Sequence, residues 1–129
     1  MTIFFRGHDH FFAKQDLDGV VYQLVPQPSH PNYKRAGQAI NYGYITGDIL
    51  PNSGHLRVTV SNSMVTVDYV RAYLSEDENP EEGRANGKVD YYYTIHAQNT
   101  SAPSIDPQKN CHKDINVIKI VLIRLIPEP

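Results

Sequence analysis

The chain has one cysteine, no tryptophan, no large excess of either charge and no long apolar run. A single thiol, Cys111, closes no intramolecular disulfide, so cysteine carries no sign of an oxidising compartment. A net charge of −2 argues against nucleic-acid and anionic-membrane partners, both of which call for a basic surface. No segment approaches the ~20 apolar residues of a membrane helix. The apolar run Ile3 to Phe5 is far too short for the core of a signal peptide. A soluble chain is therefore expected, and its localisation is not readable.

The residues that are plentiful point to strands. Nine tyrosines, nine prolines and eight glycines suit strands divided by turns better than helices, and no helical period exceeds two turns. With 129 residues the chain is long enough for one domain with a sizeable core. A mainly β fold with long loops, built from about three antiparallel hairpins or fewer, is the expectation.

Reading in order, Ile3 to Phe5 forms a short buried strand that Gly7 ends. Phe11 to Gln15 and Val20 to Val25 form the two arms of a hairpin. Asp16-Leu17-Asp18-Gly19 is its turn, because Asp-Gly supplies the positive backbone angles that tight hairpins need. Pro26, Pro28 and Pro31 keep residues 26 to 34 out of ladders, and His30 lies there as a surface-loop histidine. Residues 33 to 53 read as irregular, with a short strand over Tyr42 to Ile45 and with Lys34 and Arg35 facing a substrate as an unsupported option.

Gly54 to Val60 and Val65 to Val70 alternate apolar and polar residues around the turn Ser61-Asn62-Ser63, which makes a second hairpin. His55 opens its first strand, close to solvent. Residues 76–88 form an acidic exposed connection without the ligand spacing of a calcium loop. Val89 to His96 is a strand by propensity, and Ile115 to Ile126 reads as another whose apolar edge needs a cover. Cys111-His112 is a weak half-site for zinc, and Asn99-Thr100-Ser101 fits a glycosylation acceptor that has meaning only after secretion.

Chemistry concentrates at Gly7-His8-Asp9-His10. On extended backbone, residues two apart point to the same side, so His8 and His10 would face one point while Asp9 orients a neighbouring imidazole. Neutral imidazole is the commonest side-chain metal ligand. The same spacing also describes two partly exposed histidines with no ligand.

The Gly-His-x-His block after an apolar strand resembles the block that closes the active site of calcineurin-like metallophosphoesterases, the purple acid phosphatases included. The resemblance runs through Phe11 to Pro28 and resumes at Gly54 to Val60 and Val65 to Val70, covering residues 3 to about 75. It implies that the strands correspond to the C-terminal sheet of a four-layer α/β/β/α fold. It implies hydrolysis of a phosphate ester at a dinuclear centre of iron, zinc or manganese, with His8 on one metal and His10 on the other. The family's Asp-x-His, Gly-Asp and Gly-Asn-His blocks precede Gly-His-x-His, whereas here only Met1 to Arg6 do, and Gly47-Asp48 comes after it. The expectation is thus a C-terminal fragment, inactive alone, with residues 1–75 as the phosphoesterase portion, 76–88 as the connection and 89–129 as a β-rich tail of unrecognised origin. A β-rich binding or self-associating module, with strand edges pairing to themselves and no catalytic role, stands as the alternative.

Overall fold

The structure, a computed structural model, describes residues 2–34, 36–97 and 119–122. It is mainly β. In chain order the elements are β1 (Thr2–Arg6), β2 (Phe12–Leu17), β3 (Val20–Leu24), α1 (Gln38–Asn41), β4 (Asp48–Leu50), β5 (Gly54–Val60), β6 (Met64–Arg71), one 3-10 turn (Pro80–Glu82), β7 (Val89–His96) and β8 (Lys119–Leu122).

Two sheets result. One is five-stranded, in the order β4-β2-β3-β1-β8, and the other is a three-stranded meander, β5-β6-β7. The β2–β3 hairpin closes on Asp18 and Gly19 at φ 50° and 75°, the positive pair that a two-residue turn requires. Ser61 fastens the β5–β6 turn, its Oγ accepting from the Met64 amide at 3.1 Å and its amide donating to the Met64 carbonyl at 2.8 Å. The larger sheet is mixed. β3 lies between β1 and β2, so β1 runs parallel to β3, and it also runs parallel to β8 on its other side.

Strand alternation builds the core. Ile3, Phe5 and Val21 face Val65, Val67 and Ile95 across the two sheets, all of them buried. Each such side chain contributes about 1.5–3 kcal/mol of apolar burial. Phe12 stacks on Tyr69 at 4.9 Å between ring centroids, and the Tyr93 hydroxyl donates to the buried Gln23 Oε1 at 3.0 Å. The opposite face of the large sheet carries a second cluster of Phe11, Ala13, Leu24, Ala39 and Tyr44, with α1 lying over it.

The segment after residue 33 differs from the sequence expectation. Tyr42 to Ile45 is not a strand; α1 ends there and Tyr44 turns inward onto Phe11, so the strand of this region is Asp48–Leu50. Gly47, at φ 96°, lies so close to the Lys14 carbonyl that an added Cβ would sit 2.3 Å from its oxygen. The glycine is required by packing, and Asp48 accepts a hydrogen bond from the Tyr91 hydroxyl. β7 is hydrogen-bonded to β6, so the strand beyond the acidic connection belongs to the same sheet as the strand before it. Of the run Ile115 to Ile126, only Lys119–Leu122 falls within the described residues; Arg35, Asn99 to Ser101 and Cys111-His112 lie outside them.

Candidate functional site: a histidine loop clamped to the second sheet

The loop Gly7–Phe11 leaves the C-terminal end of β1. Its backbone is bent rather than extended, because His8 adopts φ 108°. The same-side rule for residues two apart therefore does not apply to His8 and His10. A non-glycine residue in this region costs of order 1–3 kcal/mol and persists where neighbours hold it.

Those neighbours are on both sides of the loop. Arg6, at the end of β1, donates to the Tyr44 hydroxyl, which donates in turn to Asp9 Oδ2 at 2.8 Å. The Arg6 guanidinium also lies over the Tyr44 ring, 4.9 Å from its centroid. Asp9 is thus engaged by a tyrosine rather than by an imidazole. The Phe11 amide donates back to the Asp9 carbonyl at 2.8 Å, and Phe11 is buried beneath.

The second anchor is the segment Pro51–Ser53, which precedes β5. The Asn52 side chain donates to the His10 carbonyl and accepts from the Gln27 amide at 3.0 Å. Ser53 Oγ accepts from the His30 amide at 2.8 Å and donates to the Ala72 carbonyl. Both residues are fully buried, as expected of polar groups whose hydrogen bonds are all made within the fold. Two adjacent residues therefore hold one histidine segment each. Arg71 holds the pair in place: its Nη1 donates to the Pro51 carbonyl and its Nη2 to the Asn52 carbonyl, both at 2.8 Å. Arg71 is itself buried, with Tyr69 and Tyr73 hydroxyls as further partners and Asp90 Oδ2 3.3 Å from its Nε.

His8 and His10 are both exposed. The ring packed against His10 is that of His30, 5.1 Å away between centroids and tilted by 59°. His30 is partly buried, and its pKa lies below the ordinary value, first because of burial and then because of the neighbouring His10 charge. Its Nδ1 accepts from the Asn32 amide at 3.0 Å. His55, at the start of β5, is exposed and pairs in register with Val70. Lys34 lies over the Tyr33 ring.

Asn52, Ser53 and Tyr44 carry no motif, and His30 is twenty positions from His10 with a whole hairpin between them. The only sequence sign of the clamp is that a polar pair immediately precedes the strand-opening Gly54, where an added Cβ would sit 2.4 Å from the Tyr69 ring.

Among the described residues no group of three or more His, Cys, Asp or Glu converges to hold an ion. A pair of divalent ions a few ångströms apart needs carboxylates to offset its charge, and the described residues bring no such set together. A concavity of about 280 Å³, lined by Arg6, Gln15, Asp16, Leu17, Tyr22 and Thr46, contains no histidine. No helix among the described residues is long and apolar enough to cross a membrane. No family model, curated protein or solved structure matches the chain.

Proposed function

We propose that the chain carries the histidine-bearing C-terminal part of a dinuclear-metal phosphoesterase, which hydrolyses a phosphate ester only when ligands beyond these residues complete the centre. The observation that carries this reading is the loop Gly7–Phe11. It leaves the C-terminal end of a strand flanked by parallel neighbours, it presents His8 and His10 to solvent, and it is held in a strained conformation from both sides. Ligands bind at such strand ends in sheets with parallel strands. Strain kept by dedicated hydrogen bonds is a mark of functional segments.

In the complete centre, iron, zinc or manganese would supply an activated water and stabilise charge on the phosphoryl group. This chain's part is to offer one imidazole nitrogen from His8 and one from His10. The Asp9–Tyr44–Arg6 relay and the Asn52 hydrogen bond fix the backbone between them.

The test is titration of the full chain with zinc and manganese, beside the double variant His8→Ala/His10→Ala. The parent is expected to bind at least ten times more tightly than the variant. Equal affinities, or no binding by the parent, would overturn the assignment. A non-catalytic self-associating module is favoured by one observation, that Val58 and Val60 on the core-facing side of β5 are 38% and 59% exposed at a sheet edge. Concentration-dependent oligomers that vanish in Val58→Thr/Val60→Thr would support it.

A further inference from the structure

The structure assigns a ligand site to the outer face of the five-stranded sheet, where Arg6 holds the carboxylate of a small aromatic acid. The site goes beyond the phosphoesterase reading and does not rest on it. Its concavity is lined by Arg6, Gln15, Asp16, Leu17, Tyr22 and Thr46, none of them proposed as a metal ligand.

The outer face is only partly covered. Strand alternation turns Ile3, Phe5, Val21 and Gln23 into the core between the sheets, so Phe4, Arg6, Gln15, Leu17 and Tyr22 lie on the opposite side. Parallel strands are ordinarily covered on both faces. At one end of this face Ala39 of α1 and Tyr44 pack over Ala13 and Leu24. Beyond them runs the cross-strand row Phe4, Tyr22 and Gln15, with Leu17 next to it; Tyr22 is 37% exposed and Leu17 61%. Thr46 walls one side, and two contacts hold it there. Gln15 Nε2 donates to its carbonyl at 3.1 Å, and Gly47 lies against the Lys14 carbonyl. The space left is about 280 Å³, enough for a ring with its carboxylate and too small for a length of chain.

Charge selects the ligand. Arg57, Arg71 and Arg84 meet the carboxylates of Asp68, Asp90 and Glu82, whereas Arg6 meets none among the described residues. It donates to the Tyr44 hydroxyl, which leaves the rest of its donor fork without a protein partner among those residues. Asp9 reaches it only through that hydroxyl, and Asp16, the carboxylate lining the concavity, is taken up by Lys14. A planar guanidinium fork matches a carboxylate with two parallel hydrogen bonds. The Tyr22 ring and the Leu17 side chain then offer an apolar wall to the body of the acid.

The test titrates the full chain with benzoate and follows backbone amide shifts, with uncharged benzamide as the control of equal shape. Saturable shifts at Arg6, Gln15, Tyr22 and Thr46 are expected, with a dissociation constant of about 1 mM for benzoate and at least about tenfold weaker binding of benzamide. Leu17→Glu, at the exposed end of β2, places a carboxylate beside the ligand and should weaken benzoate about fivefold. Arg6→Gln should bring benzoate down to the level of benzamide; because it also loosens Tyr44, Leu17→Glu decides should that variant fail to fold. No shift by about 10 mM benzoate would overturn the site. Equal affinities for benzoate and benzamide would overturn the part given to Arg6, and parent-like binding by Leu17→Glu would overturn the placement. Tighter binding of acetylphenylalanine than of benzoate would seat a peptide C-terminus there and sink the small-acid assignment. No metal enters these measurements, so their failure leaves the phosphoesterase reading standing.

Discussion

Replacing Asn52 with alanine tests whether the histidine loop is held by the second sheet. The side chain makes two hydrogen bonds, one to the His10 carbonyl and one from the Gln27 amide at 3.0 Å, and it is fully buried. Each bond contributes about 1 kcal/mol net, and a stranded partner left without water costs roughly 1–3 kcal/mol more. The expected loss is about 2–4 kcal/mol, a large part of the roughly 5–15 kcal/mol that separates a folded domain from its unfolded chain. Urea unfolding followed by circular dichroism measures it. Asn62→Ala, in the exposed β5–β6 turn, is the control and should change stability by less than about 0.5 kcal/mol. The same Asn52 variant should broaden or shift the His10 ring resonances, and with them those of the His30 ring packed against it. A loss below about 0.5 kcal/mol with unmoved histidine resonances would refute the reasoning, because the loop would then be held by Arg6, Tyr44 and Asp9 alone.

Two further outcomes follow from burial and charge. Arg71→Met removes a buried cation with partners on Pro51, Asn52, Tyr69, Tyr73 and Asp90, and should cost about 3–5 kcal/mol in the same unfolding assay. Arg57→Ala, which breaks an exposed pair with Asp68, should cost no more than about 1 kcal/mol. At alkaline pH the tyrosines decide. Burial, and then the Asp48 carboxylate, push the Tyr91 phenol up to about 12, and burial raises Tyr69 and Tyr93 as well. A folded-state pKa above the unfolded value of about 10 means that the native state holds its proton more tightly. That stability is fully present below pH ~10 and is lost as pH rises through about 12, so urea midpoints should be flat from neutrality to about pH 10 and fall above it. Tyr93→Phe should flatten the fall.

What could be read from the sequence was local. Strict alternation in Gly54 to Val60 and Val65 to Val70 placed those strands, the second of which runs one residue further at each end, and Asp18-Gly19 placed the first hairpin, because period and turn chemistry act between near neighbours. Tyrosine-rich β7 was legible by propensity, and its Tyr91 and Tyr93 turn towards Phe12 and Gln23 while Tyr92 stays exposed. The region after Tyr33 was not legible. A four-residue helix and a three-residue strand are too short to leave a period, and Tyr44 is buried by tertiary packing rather than by pattern. At the site, the histidines His8 and His10 stood out, but the bend at His8 arises from hydrogen bonds to Tyr44 and Asn52, tens of residues away. His30 appeared to be an ordinary loop residue among prolines for the same reason.

The parallel setting of β1 has a consequence for the order of assembly. Thr2 is paired with Val20 on one side and with Lys119 on the other, whereas β5 pairs with β6 and β6 with β7, each the next strand in the chain. Contacts of wide sequence separation must bear their loop-closure entropy before they are rewarded. The meander and the β2–β3 hairpin can therefore form first, and β1 inserts beside an existing hairpin. The histidine loop hangs from β1 and is clamped by the segment ahead of β5, so it takes shape only once both sheets have met. The imidazoles would then be among the last groups set in place on folding and among the first released on unfolding, an order that pulse-labelled amide protection of Phe11 against Val67 reads directly.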